Sequence, residues 1–489
     1  MFPGETPVSG TRSRGYRFNG IFGSVTVTAL LFLLALLFVW FKWYVAGAVV
    51  FALIASAELF LCSDLSIPAL PFLLLSCIVL PCYDSYNLFI RYVWVLPIVI
   101  AALLFNLIVF REKMKVGRTF FGQVAVMIAL MLGGTGFIAR SDLLSPMSLF
   151  YVLSLGIGMV LVYLILRSRF ARFNVYGIFG RIAPTMYLVG LLCCVIILLY
   201  TLRDNPADPV FADRVFRNLL LAEYLPSNNL STLLMFAMPF PVWYALKQHP
   251  IHIVTCLAFY FAIVVGGSRA GVLLGAVELI LCLLLWMRYC GPIAKKIGSF
   301  LGPILFLLGL IALHWFVTTY SQFAFISSDE VRVNAFNISM REFFAHPIFG
   351  IGLRNHALDE IYQPKKGALC WFHMYFPQIF ASMGLVGFAA YFIQLLLRST
   401  LIFRRKKGPV RSTLGLSYIG LFLMSQLNPG EFCPFPYALM AVGIFVMLEQ
   451  LEETERLARL LAPEWGDASE LKEYPLCADD TVPSAIWAC

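Results

Sequence analysis

The sequence predicts an all-α, polytopic integral membrane protein of about 12–14 transmembrane helices, with one large loop on the outer side. Three observations predict it. Of the 489 residues, 60% are hydrophobic and only 13% are charged. Apolar runs of about 18–22 residues recur along the chain, the length a helix needs to cross the hydrocarbon core. Lys and Arg concentrate in alternate connections between those runs, the pattern that orients membrane helices. Barrel strands would be about ten residues long with alternating polarity, and no such pattern is present.

The first run, near 21–41, exceeds a signal-peptide core and precedes no small-residue cleavage site, so it reads as a retained helix. Spans follow near 44–62, 66–81, 93–110, 119–138, 147–166 and 182–200. The one near 66–81 is short and holds Pro68 and Pro71, which predicts a kinked or re-entrant segment. Further spans lie near 229–246, 250–266, 270–288, 298–318, 372–397, 412–427 and 434–450.

With the N-terminus inside, eighteen Lys/Arg fall in the inner connections near 111–118, 167–181, 247, 288–296 and 398–411. The short outer connections hold Lys42, Arg91, Arg140 and Arg269. Both termini are therefore expected in the cytoplasm. Two long outer segments break the pattern, near 202–228 and 319–371. They hold Arg203, Arg214, Arg217, Arg332, Arg341, Arg354, Lys365 and Lys366, which suits an anionic ligand on the outer face.

The second long segment has its own helix signal. Ser327 and Glu330 form a capping-box pattern. Val333, Phe336, Met340 and Phe343 follow at helical spacing, and Pro347 should end the helix at His346. Such an amphipathic helix suits the bilayer surface. The integral membrane domain is expected to span 1–450, and 451–489 to form a cytoplasmic tail that begins among Glu449, Glu452, Glu453 and Glu455. The twelve cysteines mostly sit in apolar runs as small hydrophobes, and no cysteine or histidine spacing suggests a metal site.

The most informative segment is Gly266-Gly267-Ser268-Arg269-Ala270-Gly271, an arginine between two apolar runs. A cation there needs an anionic partner, and a lipid phosphate at the surface would supply one. Taken with Pro226-Ser227-Asn228-Asn229, with Arg332 ahead of Pro347-Ile348-Phe349-Gly350-Ile351-Gly352, and with His373 ahead of Gly384 and Gly387, this segment resembles the bacterial O-antigen ligase and O-antigen polymerase family of membrane glycosyltransferases. The resemblance covers about 226–390. Phe336 and Met374 depart from the family's usual residues. The resemblance implies a GT-C-like membrane enzyme of the bacterial inner membrane with a periplasmic active site. It implies a donor glycan on undecaprenyl diphosphate and an acceptor that is lipid A-core or another glycan. The partners would be those substrates and membrane lipids, with no nucleic acid, no cofactor and no metal.

The residues suit that chemistry. The acceptor hydroxyl must lose a proton, and imidazole is poised to take it near neutral pH. His373 is the candidate general base, with an ordinary interfacial histidine as its structural alternative. The departing diphosphate needs fixed positive charge, which guanidinium supplies at any pH. Arg269, Arg332, Arg354 and Arg217 are the candidates, and snorkelling or loop solvation is their plain alternative. Asn228, Asn229 and His356 are candidates for sugar contacts, although Asn228 and Asn229 also suit a helix cap. A competing class is an anion or small-solute transporter. It would place ionisable groups near the bilayer midplane, where Glu58 and Glu278 fall.

Overall fold

The structure, a computed structural model, describes residues 18–79, 95–139, 146–204, 227–292, 296, 325–353, 372, 374–404, 408–428 and 430–461. No strand occurs among them. The helices are α1 (Val25–Trp40), α2 (Tyr44–Leu61), α3 (Ala69–Val79), α4 (Leu96–Val109), α5 (Arg118–Ala129), α6 (Pro146–Leu153), α7 (Met159–Phe170) and α8 (Val175–Leu199). They continue with α9 (Ser227–Ala237), α10 (Pro239–Lys247), α11 (His252–Gly266), α12 (Arg269–Tyr289), α13 (Phe325–Ala345), α14 (Tyr375–Ile402), α15 (Pro409–Ser425) and α16 (Leu439–Leu461). Wide π-helical turns lengthen α5 through Gly134 and join α6 to α7.

Seven of these runs are long and apolar enough to cross a membrane: Tyr44–Leu61, Ser148–Phe170, Val175–Leu202, Asn228–Lys247, Arg269–Tyr289, Tyr375–Ile402 and Phe435–Leu457. Five shorter apolar helices accompany them. The polytopic helical class predicted from hydropathy is what the chain forms. The predicted span near 298–318 lies outside the described residues. Exposed apolar side chains such as Leu30, Ile108, Phe121 and Phe392 cover the flanks, as lipid-facing helices require.

Several basic residues at one end of the bundle are tied down by carboxylates. α16 runs unbroken from Leu439 to Leu461, so the short helix expected at the start of the tail continues the preceding helix without a break. Its Glu449 is buried and accepts from the Thr119 amide (2.7 Å), the Thr119 hydroxyl (2.9 Å) and the Tyr163 hydroxyl (2.6 Å). The buried Arg167 guanidinium donates to Gln450 (2.5 Å) and Glu453 (2.7 Å). Arg411 pairs with Glu455 at 2.9 Å, and Arg118 and Arg404 both reach Glu452. Buried charge is tolerated only with such partners. Those partners hold α16 against α5, α7 and α15.

The predicted span 372–397 requires a correction: it is not one straight crossing. Gly384 has φ 61° and ψ −153°, a conformation open to glycine almost alone. The rings of Tyr375 and Tyr391 lie 5.9 Å apart, and those of Phe380 and Phe388 4.9 Å apart. In a straight helix, residues sixteen apart would be separated by about 24 Å. Residues 375–383 therefore fold back along 385–402. Gly387 permits the contact, since a Cβ there would lie 2.2 Å from the Met383 Cβ.

The loop helix is present as α13, and it differs from its predicted form in both ends and in the face it buries. It begins at Phe325, upstream of the capping-box Ser327, and ends at Ala345, one residue before the predicted stop. Its buried face is Ala335, Ile338 and Ser339, packed near Phe372 and Ala381. Small side chains at 335 and 339 let the folded-back limb approach. The predicted stripe is rotated outward, with Val333 and Phe336 exposed and Met340 and Phe343 half-buried.

Candidate functional site

Two of the predicted motifs meet at one corner of the bundle, opposite the carboxylate-clamped basic end. α11 ends at Gly267, whose φ of 77° caps it in the left-handed region. The chain turns at once into α12. Ser268 caps α12, its hydroxyl accepting from the Gly271 amide at 3.0 Å and donating to the Asn228 side-chain oxygen at 2.7 Å. Gly271 lets α12 close on α9, since a Cβ there would lie 2.9 Å from the Ser231 side chain. Asn229 receives a third element, the Tyr437 hydroxyl donating to its carbonyl at 2.8 Å. Arg269 is the first residue of α12 and half-buried. Its guanidinium thus belongs to a helix N-terminus, where the helix dipole and the free N–H groups already favour an anion.

A second corner is built from backbone and explains the glycines of the Pro347-Ile348-Phe349-Gly350-Ile351-Gly352 segment. This segment lies across the fold-back of α14 as a staple. The Ile351 and Gly352 amides donate to the Ala381 and Ser382 carbonyls at 2.8 and 2.9 Å. The Leu385 and Val386 amides donate to the Pro347 and Ile348 carbonyls at 2.8 and 3.2 Å. The carbonyls ending one limb and the amides beginning the other are satisfied together. The Leu353 amide adds a bond to the Gly134 carbonyl at 2.8 Å. Contact is so close that a Cβ on Gly350 or Gly384 would lie about 2.5 Å from backbone atoms of the opposite strand. Both glycines also have positive φ.

Below the staple, the folded-back limb points its N-terminus into the bundle. Gln378 is buried and holds the chain just ahead of that limb. Its side-chain oxygen accepts from the Phe372 amide, and its side-chain nitrogen donates to the Ser382 hydroxyl, both at 2.8 Å. Tyr375 packs edge-on against Phe422 and tilted against Phe432. Nearby, Arg398 and Glu431 form a buried ion pair at 2.6 Å, with the Tyr418 hydroxyl 2.9 Å from the same guanidinium nitrogen. The guanidinium also lies 4.8 Å from the centre of the Phe445 ring.

Among the predicted site residues, the structure joins Asn228 to the Ser268–Arg269 turn and draws Asn229 to Tyr437. Arg332 lies in α13, with its side chain outside the described part. His373, Arg354, His356 and Arg217 lie outside the described residues. Both neighbours of His373 are described, and Phe372 is fully buried. Among the described residues, no group of three or more His, Cys, Asp or Glu is placed to hold a metal ion.

The Ser268–Arg269 turn, α13, the staple and the Gly384 fold-back all lie within one stretch of chain. Residues 254–392 match the family model described as O-antigen ligase. The resemblance seen in the motifs thus holds for that stretch, and it supports O-antigen ligase-type function in general terms. No curated protein and no solved structure matches the chain. The matched segment begins inside α11 and ends at Phe392, in the second limb of the fold-back. It contains the glycine contacts of the staple at 350, 352, 384 and 387.

Several residues that organise this O-antigen ligase-type segment gave no sequence signal. Gln378 and Ser382 read as polar breaks in an apolar run. Tyr437 lies 208 positions from its partner Asn229. The Arg398–Glu431 pair joins a residue counted as inner-face charge to one in a Pro-rich turn. One signal was available for the fold-back: two glycines three apart, preceded by a segment with two more.

Proposed function

We propose that this protein is a metal-independent, inverting glycosyltransferase. In this reading it moves a glycan from undecaprenyl diphosphate to a sugar hydroxyl of lipid A-core, on the periplasmic face of the inner membrane. The match of residues 254–392 to the O-antigen ligase model supports the reading. The observation that carries it furthest is the Asn228–Ser268–Arg269 corner, a guanidinium at a helix N-terminus braced by a second helix.

In the proposed reaction the acceptor hydroxyl gives its proton to His373 and its oxygen attacks the anomeric carbon. The bond from that carbon to the diphosphate oxygen breaks, and the electron pair leaves with undecaprenyl diphosphate. Attack opposite the leaving group inverts the anomeric centre. Arg269, Arg332, Arg354 and Arg217 are assigned to the diphosphate charge, which grows as the bond breaks. Asn228, Asn229 and His356 are assigned to sugar contacts. In this assignment Gln378 holds Phe372, beside the base, against the folded-back limb.

The test is the surface glycan profile of the native host with the gene deleted, then rescued by wild type or by His373→Ala. Bare lipid A-core, with long glycan retained on the carrier lipid, is the expected result of deletion. Core bearing a single repeat unit would instead assign the polymerase reaction of the same family. An unchanged profile would discard glycan transfer in favour of an anion or small-solute transporter. Equal rescue by His373→Ala would remove the proposed base.

A further inference from the structure

At the end of the bundle opposite Arg269, a groove of about 630 Å³ is lined by Arg111, Glu112, Lys113, Lys115, Ser168, Ala171 and Arg172. This falls within the size range of ligand sites. Four of its side chains are cationic and one is acidic. The acid is already engaged, since Arg172 donates to Glu112 at 2.7 Å. Lys115 stands 4.0 Å from Glu453, with both side chains well exposed, a weak pairing. Arg111 and Lys113 have no hydrogen-bond or ion-pair partner among the described residues. Elsewhere at this end, Arg118, Arg167, Arg404 and Arg411 each have a carboxylate. The groove thus brings Arg111 and Lys113, unpaired among the described residues, beside Lys115 and Arg172.

The segment forming one wall shows which kind of anion would come. Residues 111–117 carry no regular secondary structure, and after the charged run Arg111-Glu112-Lys113 apolar Met114 and Val116 flank Lys115. Lys113 and Lys115 line the groove, whereas Met114 and Val116 lie outside it, with 72% and 51% of their surface exposed. Ile108, one turn earlier at the end of α4, is 73% exposed. An apolar edge beside a cationic pocket matches the boundary between acyl chains and headgroups. Ile108 belongs to the lipid-facing flank, and Met114 and Val116 continue that flank to the rim of the groove.

We propose that this groove binds the phosphate headgroup of an anionic phospholipid, with Met114, Val116 and Ile108 against its acyl chains. Arg111 and Lys113 supply the principal charge, Lys115 adds to it, and the Ser168 hydroxyl lies within the groove. The site is separate from the glycan-transfer corner and does not depend on that assignment. It fastens the 111–117 connection to the membrane surface.

Native mass spectrometry of the purified full-length protein in detergent tests this, with dioleoyl phosphatidylglycerol titrated against dioleoyl phosphatidylcholine. The expected result is one phosphatidylglycerol retained in preference to phosphatidylcholine. The triple variant R111Q/K113Q/K115Q should weaken that retention on the order of a hundredfold, from three surface charges at roughly tenfold or less each. Arg288→Gln, a change at the same end but outside the groove, should retain the lipid. Equal retention of the two lipids by wild type, or unchanged retention by the triple variant, would overturn the proposal. Loss with Arg288→Gln of the same size would mean diffuse surface charge rather than a site. Displacement of the lipid by low-millimolar inorganic phosphate would identify a free-phosphate site instead.

Discussion

Gly384→Ala is expected to open the fold-back of α14. The wild-type φ of 61° and ψ of −153° carry a cost of about 1–3 kcal/mol for a residue with a Cβ. The added Cβ would also sit 2.5 Å from the Ile348 carbonyl carbon and oxygen and 2.6 Å from the Pro347 oxygen. These are backbone atoms, so the staple must shift rather than a side chain. The Leu385 and Val386 amides bond to those same two carbonyls. Losing both bonds adds about 2 kcal/mol at ordinary net values. The total, about 3–5 kcal/mol, corresponds to two to four orders of magnitude in the local opening equilibrium. Hydrogen exchange of peptides covering 345–353 and 380–390 reads this directly, as faster exchange confined to those two segments. Gly443→Ala is the internal control. It lies within α16 with nothing within 4 Å of an added Cβ, so the helix should be unchanged or stabilised by up to about 1 kcal/mol. Wild-type exchange rates in the Gly384→Ala protein would refute the hinge geometry.

Three further outcomes are expected. Arg398→Leu or Glu431→Gln alone should destabilise the detergent-solubilised protein by about 3–5 kcal/mol, because each leaves a buried polar group without its partner. The double variant should recover much of that loss, and additive melting shifts would count against the pair. Ser268→Ala removes the α12 cap and its bond to Asn228, which should cost about 1–2 kcal/mol and raise the KM for the lipid-linked donor; an unchanged KM would separate this turn from donor binding. Glu449→Ala removes an acceptor of three hydrogen bonds beside Arg167. It should lower the melting temperature by several degrees and expose the α7–α16 contact to proteolysis, whereas protection equal to wild type would contradict the clamp.

Among the described residues, hydropathy located most helices to within a few residues, because membrane length and the obligatory internal bonding of the backbone leave little choice. The fold-back escaped notice for the same reason. Residues 372–397 are long and apolar enough for one crossing, and hydropathy does not register the sign of φ at Gly384. The acidic residues around Glu449 looked like a solvated end because their partners, Thr119, Tyr163 and Arg167, lie about 300 positions away. For the candidate site, Asn228 and Arg269 were legible as residues in motifs, but their junction through Ser268 was not. The loop helix was legible in position. Its orientation was not, because small residues on its other face pack against the limb carrying Ala381.

The staple also has a direction along the chain. Every backbone group that bonds across the turn at 381–386 lies earlier in the chain, at 347, 348, 351 and 352, and these in turn rest on Gly134 through Leu353. In the order of synthesis these groups precede the hinge at Gly384. α14 thus follows the backbone groups that receive its turn and precedes Phe422 and Phe432, the rings that receive Tyr375 of its first limb.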